Sequence, residues 1–255
     1  MLPIRDENPH PPGFKPKITI LLIIINVIVF FYEVAYTGQF WEFSNGRAAQ
    51  LFYEWGAVPA CVAGSSHIIV DGITISCPEL SYASLLSSIF LHGGLMHLGG
   101  NMLFLWIFGD NIELKYGRIK FLGVYLLWGI VAGLTHIVIE PNSTIPAVGA
   151  SGAISGVLGA YLALFPRARI QTFLMMGFFW RMMHIQARWF LPFWLIFQNI
   201  LPFVVGGFGQ AGGGGVAFMA HIGGFAIGYA FGYAYKKSHN SEFTYGTRYG
   251  WRGDR

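Results

Sequence analysis

The sequence predicts an all-α polytopic membrane protein, a single bundle of six transmembrane helices with both termini in the cytoplasm. Three observations predict it. Hydrophobic residues make up 54% of the chain and charged residues 11%, with a mean hydropathy of +0.52, far too apolar for a soluble domain of this length. The apolar residues fall in runs of a length suited to crossing a bilayer. With six crossings, every Lys and Arg except Arg47 lies on one side, and the positive-inside rule makes that side cytoplasmic. The chain is therefore expected in the plasma (inner) membrane.

The elements follow in order. Residues 1–17 are rich in proline and charge and read as a solvated cytoplasmic tail. Residues 18–32 form the first span; no clear A-x-A site follows, so it reads as an uncleaved anchor rather than a secretory signal. Residues 35–94 form an outer loop, with Trp41, Phe52, Tyr53 and Trp55 among polar residues and glycines, a composition suited to the membrane interface. The second and third spans are 95–112 and 121–139. The fourth, 151–165, rises only roughly 22 Å against about 30 Å of hydrocarbon, which sinks its first residue below one surface. The preceding Asn142-Ser143-Thr144-Ile145-Pro146 must then dip into the bilayer, tolerable only where protein or a water-filled cavity surrounds it. Residues 172–180 are apolar but too short to cross, and they read as an interfacial or re-entrant piece. The fifth and sixth spans are 190–205 and 216–235, joined by a glycine-rich connection, 206–215, and a polar cytoplasmic tail fills 236–255. The membrane domain is thus 18–235. The net charge of +4 is spread over short loops, which points to the lipid bilayer as partner and not to nucleic acid.

Polar groups inside spans are costly and mark functional candidates. They are Asn26, His97, Asn101, His136, Ser151, Ser155, Gln198, Asn199 and His221, with His92 at the outer edge of the second span. Ser151 opens a helix on which Gly149, Gly152, Gly156 and Ala160 leave one face without bulk, and Ala220, Gly224, Gly228 and Gly232 repeat that spacing beside His221. Small-xxx-small faces let helix backbones approach closely in a bilayer, and such an approach presses Ser151 against His221. His97 and Asn101, four apart, share a helix face, whereas His92 points elsewhere.

Other readings stand beside this one. A metal site lacks H-E-x-x-H and any histidine pair at i, i+4. An aspartyl protease needs two aspartates within spans, and only Asp110 comes near one. A transporter would also use glycine-broken segments and buried polar groups, but no inverted repeat or acidic pair is visible. A buried serine often bonds its own helix carbonyl. His136 reads as a satisfied structural histidine, Asn26, Gln198 and Asn199 as side chains that hold helices together, and Glu33 and Asp110 as span-end groups that meet solvent.

Gly149-Ala150-Ser151-Gly152, Ala220-His221 followed by Gly224 and Gly228, and His92-Gly93-Gly94-Leu95-Met96-His97 followed by Asn101 together resemble the rhomboid family of intramembrane serine proteases. The likeness covers roughly residues 88–232, in chain order and span placement. It implies a six-helix rhomboid-like bundle that cuts membrane proteins carrying a transmembrane segment, without cofactor or metal. It further implies a Ser–His dyad without a third carboxylate: Ser151 as nucleophile, His221 as general base. The oxyanion donors would be His97, Asn101 and the Ser151 backbone N–H, with His92 structural. The alternative is a non-catalytic relative or a transporter. Two features depart from the family pattern. Ser155 stands where some members carry a tyrosine stacked on the catalytic histidine, so either another aromatic holds that ring or it is held less firmly, and the first loop lacks a Trp-Arg pair. The fifth span and 206–215 are expected to form a lateral gate and cap. Cys61 and Cys77 both fall in the outer loop; a disulfide is the favoured state if that face is oxidising, two free thiols the alternative.

Overall fold

The computed structural model describes residues 1–176, 179–201 and 217–239. Strand β1 (Leu2–Asp6) precedes helix α1 (Lys17–Thr37). A long connection holds α2 (Gly46–Trp55), α3 (Pro59–Val62), the hairpin β2 (His67–Val70) and β3 (Ile73–Ser76), and α4 (Ser84–Ser87) between two 3-10 turns. Then come α5 (Leu95–Tyr116), α6 (Arg118–Ile139), α7 (Ser151–Leu164), the strands β4 (Arg169–Met176) and β5 (Phe179–Gln186), α8 (Ala187–Leu195) and α9 (Phe218–Ser238). Among the described residues two helices, α1 and α6, are long and apolar enough to cross a membrane by length and composition alone; α7 is apolar but shorter.

Helix α7 is the axis of the bundle. Its Val157, Leu158, Ala160 and Tyr161 are all fully buried, and its glycines admit two close neighbours, α6 and α9, which also touch each other. A Cβ on Gly152 would fall 2.8 Å from that of Ala132, and one on Gly156 would strike Trp128, so α6 closes one side. Beside α6, α9 lies backbone to backbone against α7. A Cβ on Gly224 would collide with the Gly152 carbonyl and one on Gly228 with that of Gly156, while one on Gly232 would meet the Ala160 carbonyl at 2.8 Å. This close approach fixes the register of α9 along α7. In contrast α1 sits at the rim, with Leu21, Ile24, Ile28 and Phe31 turned outward.

The end of the bundle opposite Ser151 departs from a purely helical reading. Residues 2–6 are not a loose tail, and 172–180 are not a re-entrant piece. They form an antiparallel sheet in the order β1-β4-β5. The physical reason is an alternation hidden within an apolar stretch: Ile170 and Thr172 are fully buried, one strand period apart, and the hairpin pairs Arg169 with Gln186 through Met176 with Phe179. Below the sheet the Asp6 carboxylate accepts from the Tyr161 hydroxyl at 2.8 Å, and the Asn8 amide donates to Tyr161 and Asn111. Burial pushes the Asp6 carboxyl above the usual carboxylate range, against the pull of these bonds and of nearby His10. Glu113, buried in α5, accepts from the backbone of Ile18 and Thr19 and from the Thr19 hydroxyl, capping the start of α1 that has no side-chain cap of its own. Helix α9 runs on to Ser238, so the expected tail begins later than 236; 240–255 lie outside the described residues.

Candidate active site

Ser151 is the first residue of α7, and the chain reaches it through a segment held by the long connection. Ala57 and Ala147 form an isolated antiparallel bridge, Ala60 N–H donates to the Ser143 carbonyl at 3.0 Å, and Gly149 N–H donates to the Ser88 carbonyl at 2.8 Å. These bonds tie the segment before Ser151 to the long connection on one side, while Asn142 and Ile145 stay exposed. Gly149 turns the chain with φ +124°, and a Cβ there would fall 2.7 Å from His97 Nε2 and 3.5 Å from Ser151 Oγ. Glycine is needed twice over: for the backbone conformation, and to keep open a gap flanked by a hydroxyl and an imidazole. As the first helical residue, Ser151 has an N–H without an i−4 partner inside α7.

Across the α7–α9 contact, His221 Nε2 lies 2.7 Å from Ser151 Oγ. The other ring nitrogen, Nδ1, lies 2.5 Å from Asn199 Oδ1. The Trp194 ring is tilted 37° against the imidazole with centroids 6.3 Å apart. Ser155, the second serine of α7, is fully buried and donates to the Ser151 carbonyl at 2.7 Å. Its hydroxyl is thus engaged along its own helix.

His97 accepts the Gly93 N–H at Nδ1, 3.2 Å. A neutral imidazole that accepts at Nδ1 carries its hydrogen on Nε2, the atom that faces the gap at Gly149. Asn101 is buried and donates one amide N–H to the His97 carbonyl at 3.1 Å; an amide carries two such hydrogens, so one remains. His92 does not reach this gap. It is fully buried, its Nδ1 pairs with the Phe90 carbonyl at 3.2 Å, and its ring meets that of His97 edge-on at 5.2 Å. Burial first, and the neighbouring His97 second, push the His92 imidazole down to about 3, so it is neutral at physiological pH.

Four expectations need correction or completion. Glu33 does not meet solvent: it is fully buried and accepts the His92 backbone N–H at 2.9 Å, because the chain folds back over the end of α1. The buried Nδ1 of His136, expected to be satisfied, has no hydrogen-bond partner among the described residues. Asn26 bonds along its own helix, donating to the Leu22 carbonyl at 2.7 Å, and does not tie α1 to another helix through that amide. Cys61 and Cys77 form a disulfide, with Cα atoms 5.4 Å apart. The Gln198 side chain and the connection 206–215 lie outside the described residues. Among the described residues no three His, Cys, Asp or Glu side chains group as metal ligands do.

Asn199 and Trp194 are the neighbours of His221 that sequence reasoning missed in this role. Residues five apart diverge on an α-helix, but α8 passes into a π-helical turn, Ile196–Ile200. Such a turn adds a residue to the cycle and brings positions 194 and 199 to one side. No composition signal announces it.

Comparison with known proteins bears on the whole arrangement. A family model, Rhomboid domain, matches residues 79–238. "Rhomboid protease GluP" of Bacillus subtilis (strain 168) is 34% identical over 148 residues, 58% of this chain and 24% of that protein. "Rhomboid protein 1, mitochondrial" of Saccharomyces cerevisiae is 37% identical over 97 residues, 36% of this chain and 28% of its own length. "Inactive rhomboid protein 1" of Drosophila melanogaster is 32% identical over 92 residues, 36% of this chain and 6% of the relative. The matched region thus spans about a quarter of the length of the first two.

Proposed function

Because the chain belongs to the rhomboid family, and is therefore an integral, polytopic membrane protein, we propose that it is an intramembrane serine endopeptidase that hydrolyses peptide bonds in or near transmembrane segments of membrane proteins. The observation that carries the proposal is the 2.7 Å contact between Ser151 Oγ and His221 Nε2, residues 70 apart in sequence. A nucleophile and a base within hydrogen-bond reach are the minimum for acyl transfer. His221 Nε2 takes the hydroxyl proton as Oγ attacks the scissile carbonyl carbon, then delivers it to the leaving amine; a water repeats the sequence to release the acyl group. The carbonyl oxygen, now negative, lies in the gap at Gly149. The His97 Nε2–H and the Ser151 N–H face it, and the second Asn101 hydrogen turns toward it when substrate is bound. The start of α7 adds its positive helix end. No cofactor enters this chemistry.

The membrane arrangement is part of the same proposal. Helices α1, α5, α6, α7, α8 with its continuation, and α9 make six spans. The distribution of basic residues supports cytoplasmic termini, with the Ser151 end toward the outer face of the plasma (inner) membrane. Substrates enter from the lipid.

A second reading is a family member without activity, since one relative bears that description; the presence of both Ser151 and His221 favours the protease. Purified protein is incubated with a generic transmembrane substrate beside Ser151→Ala. The protease reading predicts a cleavage product from wild type and none from the variant, and equal product from both overturns it.

A further inference from the structure

We infer that Asn199 is a positioning residue that fixes the tautomer and orientation of His221; this rests on the serine-protease reading above. The argument is one of donors and acceptors. Asn199 Oδ1 lies 2.5 Å from His221 Nδ1, and an amide oxygen only accepts, so Nδ1 carries the hydrogen. The amide orientation is supported by its other end, since Nδ2 points to the Trp194 carbonyl at 3.5 Å. With Nδ1 protonated, the neutral imidazole has Nε2 bare, and Nε2 is the atom 2.7 Å from Ser151 Oγ. The base is thereby held in the form that can take the hydroxyl proton. The opposite tautomer would aim an N–H at the hydroxyl and leave no acceptor for its proton. Asn199 is 1% exposed, so water does not compete for its carbonyl. The other imidazoles facing His221 are His97 on α5 and His136 on α6. His97 has its Nδ1 engaged by Gly93.

The chemistry has a consequence for catalysis. A carboxylate in this position both orients the imidazole and stabilises the imidazolium that forms, whereas a neutral amide orients it and adds only a dipole. Asn199 also comes from the π-helical turn that follows α8, on a different element from the nucleophile and the base.

The test uses full-length protein in detergent with four variants: Asn199→Leu (similar shape, no acceptor), Asn199→Asp (acceptor retained), Ser151→Ala and Asn26→Ala as a buried-amide control. Melting temperature, kcat and KM for a transmembrane substrate, and the rate of fluorophosphonate labelling are measured on each. Nitrogen-15 spectra of histidine-labelled wild type are recorded as well. The expected result for Asn199→Leu is a 10- to 1,000-fold fall in kcat and in labelling rate with KM unchanged, Asn199→Asp staying within about tenfold of wild type. In wild type, the His221 resonances should show Nδ1 protonated and Nε2 bare. Labelling of Asn199→Leu at the wild-type rate overturns the inference. So does a loss in Asn199→Asp as large as that in Asn199→Leu, or a wild-type spectrum with the proton on Nε2. Should Asn199→Leu fail to fold, the wild-type spectrum decides. Failure of the protease reading looks different: wild type and Ser151→Ala would then cleave alike, while the spectrum still reports what Asn199 does to the ring.

Discussion

His221 is held from two sides in two different ways. Toward α7 the contact is backbone on backbone, with Gly224 and Gly228 of α9 against the carbonyls of Gly152 and Gly156. Toward α8 it is made by two side chains, Asn199 and Trp194, reaching in from a segment whose Trp189 is 67% and Phe197 51% exposed. A backbone contact at glycine has no rotamers with which to adjust, so the helix pair moves as a unit or not at all. A side-chain contact is remade by rotating a few torsions. Ser151 and His221 thus lie at the fixed contact, whereas the contacts that Asn199 and Trp194 make with the ring belong to the part that can be remade.

The largest effect is expected where the fixed contact is broken. Gly228→Leu must push its side chain into the Gly156 backbone, and overpacking a tight core costs roughly 1–3 kcal/mol and occasionally more. With backbone as the obstacle the upper end applies, so the variant should melt far below wild type and cleave nothing. Trp189→Ala, on the exposed face of α8, should change stability by only about 0.5 kcal/mol. Equal melting temperatures for the two would erase the distinction.

The next effect is selective. The Phe104 ring of α5 and the Trp194 ring of α8 stand with centroids 5.9 Å apart. Cysteines at these two positions, joined by a short thiol crosslinker, should stop cleavage of transmembrane substrates that the same variant cleaves uncrosslinked, while fluorophosphonate labelling of Ser151 is equal with and without the crosslink. Full cleavage by a verified crosslinked sample would show that α8 does not gate entry.

A smaller effect sharpens the fixed side. Asn101→Ala removes one donor while His97 and the Ser151 N–H remain, so turnover should fall on the order of 10- to 1,000-fold, toward the lower figure, with melting little changed. His92→Ala should instead lower the melting temperature and reduce activity only in proportion to unfolding. Kinetics and melting in one detergent compare them, and a reversed pattern would exchange the two roles.

This contrast also explains what the sequence could reveal. Small residues four apart write a backbone contact directly into the chain, so the meeting of Ser151 and His221 was readable from Gly152, Gly156, Gly224 and Gly228. The approach of Asn199 was not, because a π-helical turn changes which residues share a face without any mark in composition. The sheet at the opposite end was hidden similarly: the alternation of buried Ile170 and Thr172 lies inside an apolar run that reads first as membrane, and its partner β1 lies far away in sequence. Glu33 was misjudged because position at a span end says nothing of a chain that folds back to cover it.

The central claim is that Ser151 is a nucleophile activated by His221. Its most direct measurement is mass-spectrometric mapping of a fluorophosphonate adduct on folded protein in detergent, beside Ser151→Ala and His221→Ala. The account predicts one adduct, on Ser151, absent from the first variant and slowed at least 1,000-fold in the second. An adduct on Ser155, or undiminished labelling without His221, would contradict it.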